Sequence, residues 1–189
     1  MNSNSRHPSE ADLYTRSVWR LASLFYDRLE ELGRFEPVTA DQLPDEYRTL
    51  LAHHDHMTVA LEAHNNSLVD VRALDERVDE TSYARASLLA RQTDGRVLQF
   101  GIMRIWLADL PADARDEITA KRMPLGRVLI RHNVLREVEL ITLWRITPGP
   151  VLQQYLGVTG QQPIYGRSAQ ILVDDRPTVQ VLEIVALEE

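Results

Sequence analysis

The spacing of apolar and polar residues changes about one third of the way along the chain. Before residue 67, apolar side chains recur at helical spacing, and this predicts two helices, over 9–33 and 45–56. Ser9 is a suitable N-cap for the first and Gly33 a suitable left-handed end, while Pro44 is well placed to open the second. The first third of the chain is therefore expected to be mainly helical.

From residue 67 onwards, apolar and polar residues alternate, as is typical of antiparallel strands. Strands are predicted over 67–78, 83–92, 96–107, 136–144, 163–173 and 177–185, and short helices over 110–123, 124–132 and 149–157. Asp94-Gly95 predicts a tight turn, and Asp174-Asp175-Arg176 joins the last two strands. We expect a single α+β domain whose antiparallel sheet of about six strands carries helices on one side.

Composition narrows the class of protein. The chain has 189 residues, of which 44% are hydrophobic and 26% charged, as expected of a globular domain. Residues 1–10 lack the apolar core of a signal peptide and are predicted to be a disordered tail before one domain over 11–189. A net charge of -7 and the lack of a long apolar stretch mean that neither nucleic acid nor membrane is an expected partner. The absence of cysteine fits a reducing compartment. A cytoplasmic location is expected, and the oligomeric state stays open.

A carboxylate interrupts the last apolar strand. In a strand over 177–185, Glu183 shares one face with Val181 and Val185, and a carboxylate among valines needs a cationic or hydrogen-bonding partner. Arg85 is a candidate cation, because it lies mid-strand between Ala84 and Ala86 and can bind a carboxylate in a bidentate fork. Arg85 and Glu183 either pair with each other or each face a ligand, and both alternatives stay open.

Two further segments invite a chemical interpretation. Pro124, Leu125 and Gly126 start a predicted helix whose free N–H groups are suited to an anion, although such a segment is more often only a good helix start. The run 53–56, His-His-Asp-His, lacks the i, i+4 spacing of a helical metal site and is predicted to be a solvated helix end. Neither a metal nor a cofactor is expected.

Four segments in order, 50–62, 83–89, 123–129 and 165–185, resemble the chorismate pyruvate-lyase family, which makes 4-hydroxybenzoate. The resemblance implies helical flaps over a buried site and a cofactor-independent carbon–oxygen lyase that converts chorismate to 4-hydroxybenzoate and pyruvate. It also implies that Arg85 binds the substrate carboxylate with help from the backbone N–H of Leu125, beside Gly126. Met57 would line the pocket, and Glu183 would face the 4-oxygen and serve in proton transfer.

The sequence departs from that family at Ile102, where a second arginine is expected after Gly101. Arg104 lies two residues further on, and a modest shift of the strand would be needed to bring it into the site. Because chorismate is a dianion and Arg85 is then the one cationic partner, a monoanionic aromatic acid is the alternative substrate. The implied partner is thus a small aromatic or cyclohexadienyl carboxylate.

A second resemblance concerns a different class of protein. Residues 155–185 resemble the UTRA effector-binding domain of GntR-type transcription regulators. This implies a non-catalytic domain that binds a small aromatic acid. No wing or basic recognition helix is recognisable before Ser67, so a free-standing binder is the form that this alternative takes.

Overall fold

The computed structural model describes residues 17–134, 136–160 and 162–187. The predicted disordered tail and the beginning of the first predicted helix lie outside these ranges. None of the helices within them is long and apolar enough to cross a membrane.

The described chain forms one α+β domain around a seven-stranded antiparallel sheet with the order β1-β5-β6-β7-β4-β3-β2. The strands are β1 (Gly33–Val38), β2 (Val69–Val78), β3 (Tyr83–Arg91), β4 (Val97–Ile105), β5 (Arg136–Pro148), β6 (Ile164–Val173) and β7 (Arg176–Val185). The helices are α1 (17–22), α2 (Asp45–Leu51), α3 (Met57–Asn65), α4 (Ala112–Thr119), α5 (Leu125–Arg131) and α6 (Pro150–Leu156). The predicted fold class is confirmed, with seven strands in place of about six.

The additional strand, β1, replaces the end of the first predicted helix. Within the described residues α1 ends at residue 22, so the prediction of a helix up to Gly33 is wrong. Gly33 has φ +139°, and a Cβ there would lie 2.2 Å from the carbonyl oxygen of Thr147 on β5. The glycine thus permits close approach of an edge strand rather than ending a helix. The apolar pattern still marks buried positions, since Leu32 is fully buried and Phe35 nearly so.

The second predicted helix, over 45–56, is also shorter than expected. α2 ends at Leu51, and α3 starts at Met57 after a connecting loop. We call residues 52–56 the α2–α3 loop. The three short helices predicted over 110–123, 124–132 and 149–157 correspond to α4, α5 and α6, and α6 ends before Gly157, which has the left-handed φ of +67°.

The two faces of the sheet bury different helices. Leu182 and Ile184 of the central strand β7 face α1 and α6 in a core that contains the fully buried Trp144. Trp144 packs edge to face on Phe35 and donates a 2.8 Å hydrogen bond from Nε1 to Ser168 Oγ. The alternate residues of β7 face α2, α3, α4 and α5. We call this second side the site face. Of the described helices, four lie on the site face and two on the other, so the helices are not confined to one side of the sheet as predicted.

Candidate ligand-binding site

A small cavity lies on the site face, between strands β3, β4 and β7 and the first residues of α3 and α5. The cavity volume is about 60 Å³, which suits a compact ligand rather than a long one. The polar side chains that line the cavity are His56, Thr58, Arg85, Ser87, Gln99 and Glu183; the apolar lining includes Met57, Met103, Leu125 and Val181.

Strand register sets the arrangement of the cavity floor. Arg85, Met103 and Val181 form one row across the three strands; Ser87, Gly101 and Glu183 form the next; and Leu89, Gln99 and Val185 form the third. Since alternate residues share a face, the side chains in all three rows lie on the site face. Gly101 is in the middle and has no side chain, so the floor is open at its centre. Arg85 and Gln99 lie on opposite sides of this opening.

Two helix starts form the roof of the cavity. Residues 56–58, at the beginning of α3, meet residues 124–126, at the beginning of α5. A Cβ on Gly126 would lie 3.1 Å from both His56 Cβ and Thr58 Oγ1, so the absence of a side chain lets the two segments touch. Arg127 of α5 also forms an ion pair with Glu62 of α3. The beginnings of α3 and α5 are therefore packed and paired with each other in the roof.

Arg85 is buried with little to bind. Its side chain is 2% exposed, yet its Nε has no hydrogen-bond partner among the residues that the structure describes. Its terminal nitrogens make long contacts, 3.4 Å to the Ile118 carbonyl oxygen and 4.0 Å to Met103 Sδ, and the Tyr83 side chain also lies close to the guanidinium. Burial lowers the pKa of the Arg85 guanidinium from its usual value, and the nearby Tyr83 and Glu76 oppose this shift. A guanidinium carries five N–H donors, and most of these remain available to a ligand.

Glu183 has a different partner from the one considered in the sequence. Arg167 Nε lies 2.7 Å from Glu183 Oε2, and the Arg167 side chain is 1% exposed. Arg85 and Glu183 form no ion pair with each other within the described chain. The carboxylate among valines is therefore stabilised by Arg167, and Glu183 also lines the cavity. The ion pair makes Glu183 a hydrogen-bond acceptor at this wall.

Arg167 is a functional candidate that the sequence interpretation missed. A signal was present, because Arg167 lies mid-strand between Gly166 and Ser168, just as Arg85 lies between two alanines. Gln99 was missed as well. It is 5% exposed, and its Nε2 is 3.2 Å from where a Cβ of Gly101 would lie. Its Oε1 has no hydrogen-bond partner in the described part of the chain. Buried amides normally have partners, so Gln99 is a second side chain with unused hydrogen-bonding capacity at this cavity.

The sequence-predicted site residues lie together. Met57, Arg85, Leu125, Gly126 and Glu183 all line the one cavity. Ile102 directs its side chain into the core on the opposite face.

Arg104 does not replace the missing second arginine. Its Nε donates to Ser82 Oγ at 3.0 Å, and its guanidinium lies over the Trp106 ring, on the side of Ile102. The idea that a modest strand shift would bring it into the site is wrong. Of the described residues that line the cavity, Arg85 is the one with a guanidinium.

The predicted solvated helix end at 53–56 is correct for His54 and Asp55, which are exposed, and wrong for His53. His53 is half-buried, with Nε2 2.7 Å from the Leu50 carbonyl oxygen and Nδ1 3.2 Å from Arg167. In the ranges that the structure describes, no group of three or more His, Cys, Asp or Glu side chains is placed to hold a metal ion.

Comparison with known proteins gives similarity of fold only. No protein-family model and no curated protein matches the chain. Solved structures that resemble it include the ligand-binding domain of a GntR-family transcriptional regulator from Bordetella bronchiseptica, with 14% identity and a TM-score of 0.48 over 64% of this chain and 87% of that one.

Two further structures give the same picture. PhnF from Mycobacterium smegmatis has 11% identity and a TM-score of 0.48, over 69% of this chain and 63% of that one. The C-terminal domain of the histidine utilization repressor from Pseudomonas syringae has 11% identity and a TM-score of 0.44, over 64% and 96%. The chain is thus similar to these domains over about two thirds of its length, and at such identities and scores nothing about ligand or activity is carried over from them.

Proposed function

We propose that this protein binds a small monocarboxylate with one ring, in the cavity between Arg85 and Glu183. The observation that carries the proposal is the Arg85 guanidinium, which is buried, lines the cavity and has an Nε without a partner within the described ranges. Leaving a buried donor unsatisfied costs about 1–3 kcal/mol, and more for a charged group. A ligand carboxylate would satisfy it through charge-assisted hydrogen bonds.

The side of the cavity opposite Arg85 would bind the end of the ligand that does not carry the carboxylate. Across Gly101 from β3, which carries Arg85 and Ser87, Glu183 on β7 offers its carboxylate. A ring lying over Gly101 would place a hydroxyl substituent within reach of Glu183 while its carboxylate lies on Arg85. The ligand class is therefore a hydroxylated aromatic or cyclohexadienyl acid. One guanidinium in the lining fits one negative charge better than two.

The second candidate function is chorismate pyruvate-lyase activity. It is favoured by one specific observation: the five residues that this resemblance implies, Met57, Arg85, Leu125, Gly126 and Glu183, line a single cavity. Aromatisation of the ring supplies the driving force, so the protein would need only to hold the substrate, exclude water and assist a proton transfer. The ion pair with Arg167 weighs against Glu183 as the proton donor, because a carboxylate bound to a guanidinium acts as an acceptor.

Titration calorimetry with 4-hydroxybenzoate, 3-hydroxybenzoate and 4-hydroxybenzamide tests the binding proposal. We expect the two acids to bind and the neutral amide to bind at least about 30-fold more weakly, since it cannot form the ion pair with Arg85. Equal binding of the amide and the acid would contradict the role of Arg85. Absence of binding by both acids would contradict the ligand class.

A pyruvate assay with chorismate separates the two candidate functions. If the protein is a lyase, it will release pyruvate above the spontaneous rate, and Glu183→Gln will lower turnover more than it lowers affinity for 4-hydroxybenzoate. If the protein is a binder, as we propose, neither form will release pyruvate above background. Turnover by the wild-type protein would overturn the binder proposal in favour of the lyase.

A further inference from the structure

Arg167 joins two walls of the cavity. Its Nε contacts Glu183 on the floor, and its terminal nitrogens donate to the carbonyl oxygens of His53 and Asp55, each at 3.0 Å. The α2–α3 loop ends at His56 and is followed directly by Met57, and both residues belong to the cavity lining. A single buried side chain thus holds both the Glu183 carboxylate and the segment that leads into the roof.

The hydrogen bonds of His53 define its protonation state. Nε2 lies 2.7 Å from the Leu50 carbonyl, which can only accept, so Nε2 carries the hydrogen. Nδ1 lies 3.2 Å from Arg167 and 3.1 Å from the backbone nitrogen of Asp55, both of which are donors. Nδ1 must then be an unprotonated acceptor, and the ring is neutral. Protonation at Nδ1 would remove both bonds and set a second cation beside Arg167.

We propose that Arg167 is a positioning residue that keeps the roof of the cavity closed only while His53 is neutral, so that acidification opens the site. The proposal rests on the proposed function for its effect on affinity. Its structural part, the closing of the α2–α3 loop, can be measured without ligand. Ligand release then depends on pH through His53, which lies outside the cavity lining.

The electrostatic surroundings of His53 agree with this. Burial lowers the pKa of His53 below its usual 6.5, and the positive charge of Arg167 on β6 lowers it further. The Leu50 carbonyl and the negative charges of Asp55 on the same loop and Glu183 on β7 act in the opposite direction, with a smaller effect than burial. Because the pKa of His53 is lower in the folded protein than in the unfolded chain, neutral His53 contributes fully to folding stability above pH 6.5. This contribution is lost as the pH falls through the pKa of His53 in the folded protein.

The first test compares the wild-type protein with His53→Asn. The Asn Oδ1 takes the place of Nδ1 as an acceptor but does not titrate near neutral pH. We expect wild-type affinity for 4-hydroxybenzoate to fall by up to about tenfold per pH unit once His53 begins to protonate, and the affinity of His53→Asn to stay level. The same pH profile in both proteins would overturn the proposal.

The second test uses hydrogen exchange without ligand, with Arg167→Met and the matched control Arg104→Met. Arg104 is also an arginine with an acidic neighbour, but it lies away from the cavity. We expect Arg167→Met to raise exchange at 52–58 by about tenfold or more and Arg104→Met to leave it unchanged. Arg167→Lys should restore part of the protection, because a lysine can still contact Glu183.

The outcomes separate the two proposals. If 4-hydroxybenzoate binds at no pH but exchange at 52–58 rises in Arg167→Met and in the acidified wild-type protein, the proposed function fails and the positioning role stands. If Arg167→Met raises exchange evenly over the whole sheet, or acidification leaves exchange at 52–58 unchanged, the role assigned to Arg167 fails.

Discussion

Replacing Arg85 with methionine should abolish ligand binding and make the protein more stable. The guanidinium is 2% exposed and its Nε has no partner among the described residues, so the folded protein bears the cost of burying a poorly satisfied cation. Methionine has a similar length and adapts to irregular space beside Met103. We expect affinity for 4-hydroxybenzoate to fall by about 30-fold or more and the free energy of unfolding to rise by about 1 kcal/mol or more.

Calorimetry and urea unfolding measure the two effects on the same samples. Arg104→Met is the matched control, since that arginine is bound to Ser82 and lies away from the cavity. It should leave affinity unchanged and bring no gain in stability. If Arg85→Met lost stability in step with affinity, Arg85 would be a structural residue whose partners matter more than its unused donors.

A side chain at Gly101 should fill the place of the ring. Gly101 lies between Ser87 and Glu183 in the middle of the floor, and its backbone is in an ordinary strand conformation. Valine is favoured in strands, and its Cβ would meet only Gln99 Nε2 at 3.2 Å and the Leu182 carbonyl oxygen at 3.6 Å. We expect Gly101→Val to fold with stability within about 1 kcal/mol of the wild type. Affinity should fall by roughly 100-fold, because the isopropyl group occupies the space above the floor.

Ile184→Val provides the control for Gly101→Val. Ile184 is fully buried on the opposite face of β7, so the substitution should cost about 1 kcal/mol of stability and leave affinity unchanged. Calorimetry measures the affinity of both variants for 4-hydroxybenzoate. Wild-type affinity in Gly101→Val would show that the ligand does not lie over Gly101.

Much of the fold follows from periodicity, and the exceptions have physical causes. The alternating apolar pattern after residue 67 predicts β2, β3, β4 and the β6–β7 hairpin, because successive side chains of a strand point to opposite faces of the sheet. Near Gly33 the same apolar residues suit either a helix or an edge strand. The edge strand forms because Gly33 makes close contact with Thr147 on β5. Thr147 is more than a hundred positions away along the chain, so the local spacing of apolar residues carries no information about this contact.

The partner of Glu183 could not be derived from the turn alone. Val173 pairs with Arg176 at the hairpin turn, and continuing that register would place Leu182 opposite Arg167. A register shift between Ile171 and Leu172 moves the pairing by one residue and brings Glu183 opposite Arg167. A one-residue slip decides which face each side chain meets, and bulges are set by tertiary packing. The sequence therefore indicates a buried carboxylate and buried arginines but not which of them pair.

The most direct measurement of the central claim is the nuclear magnetic resonance signal of the Arg85 Nε–H group during titration with 4-hydroxybenzoate, assigned by its loss in Arg85→Met. Because this group has no partner in the structure, the account predicts a large downfield shift that saturates with the same dissociation constant as calorimetry. A signal that stays in place while the ligand binds would mean that the carboxylate lies elsewhere, and it would contradict the account.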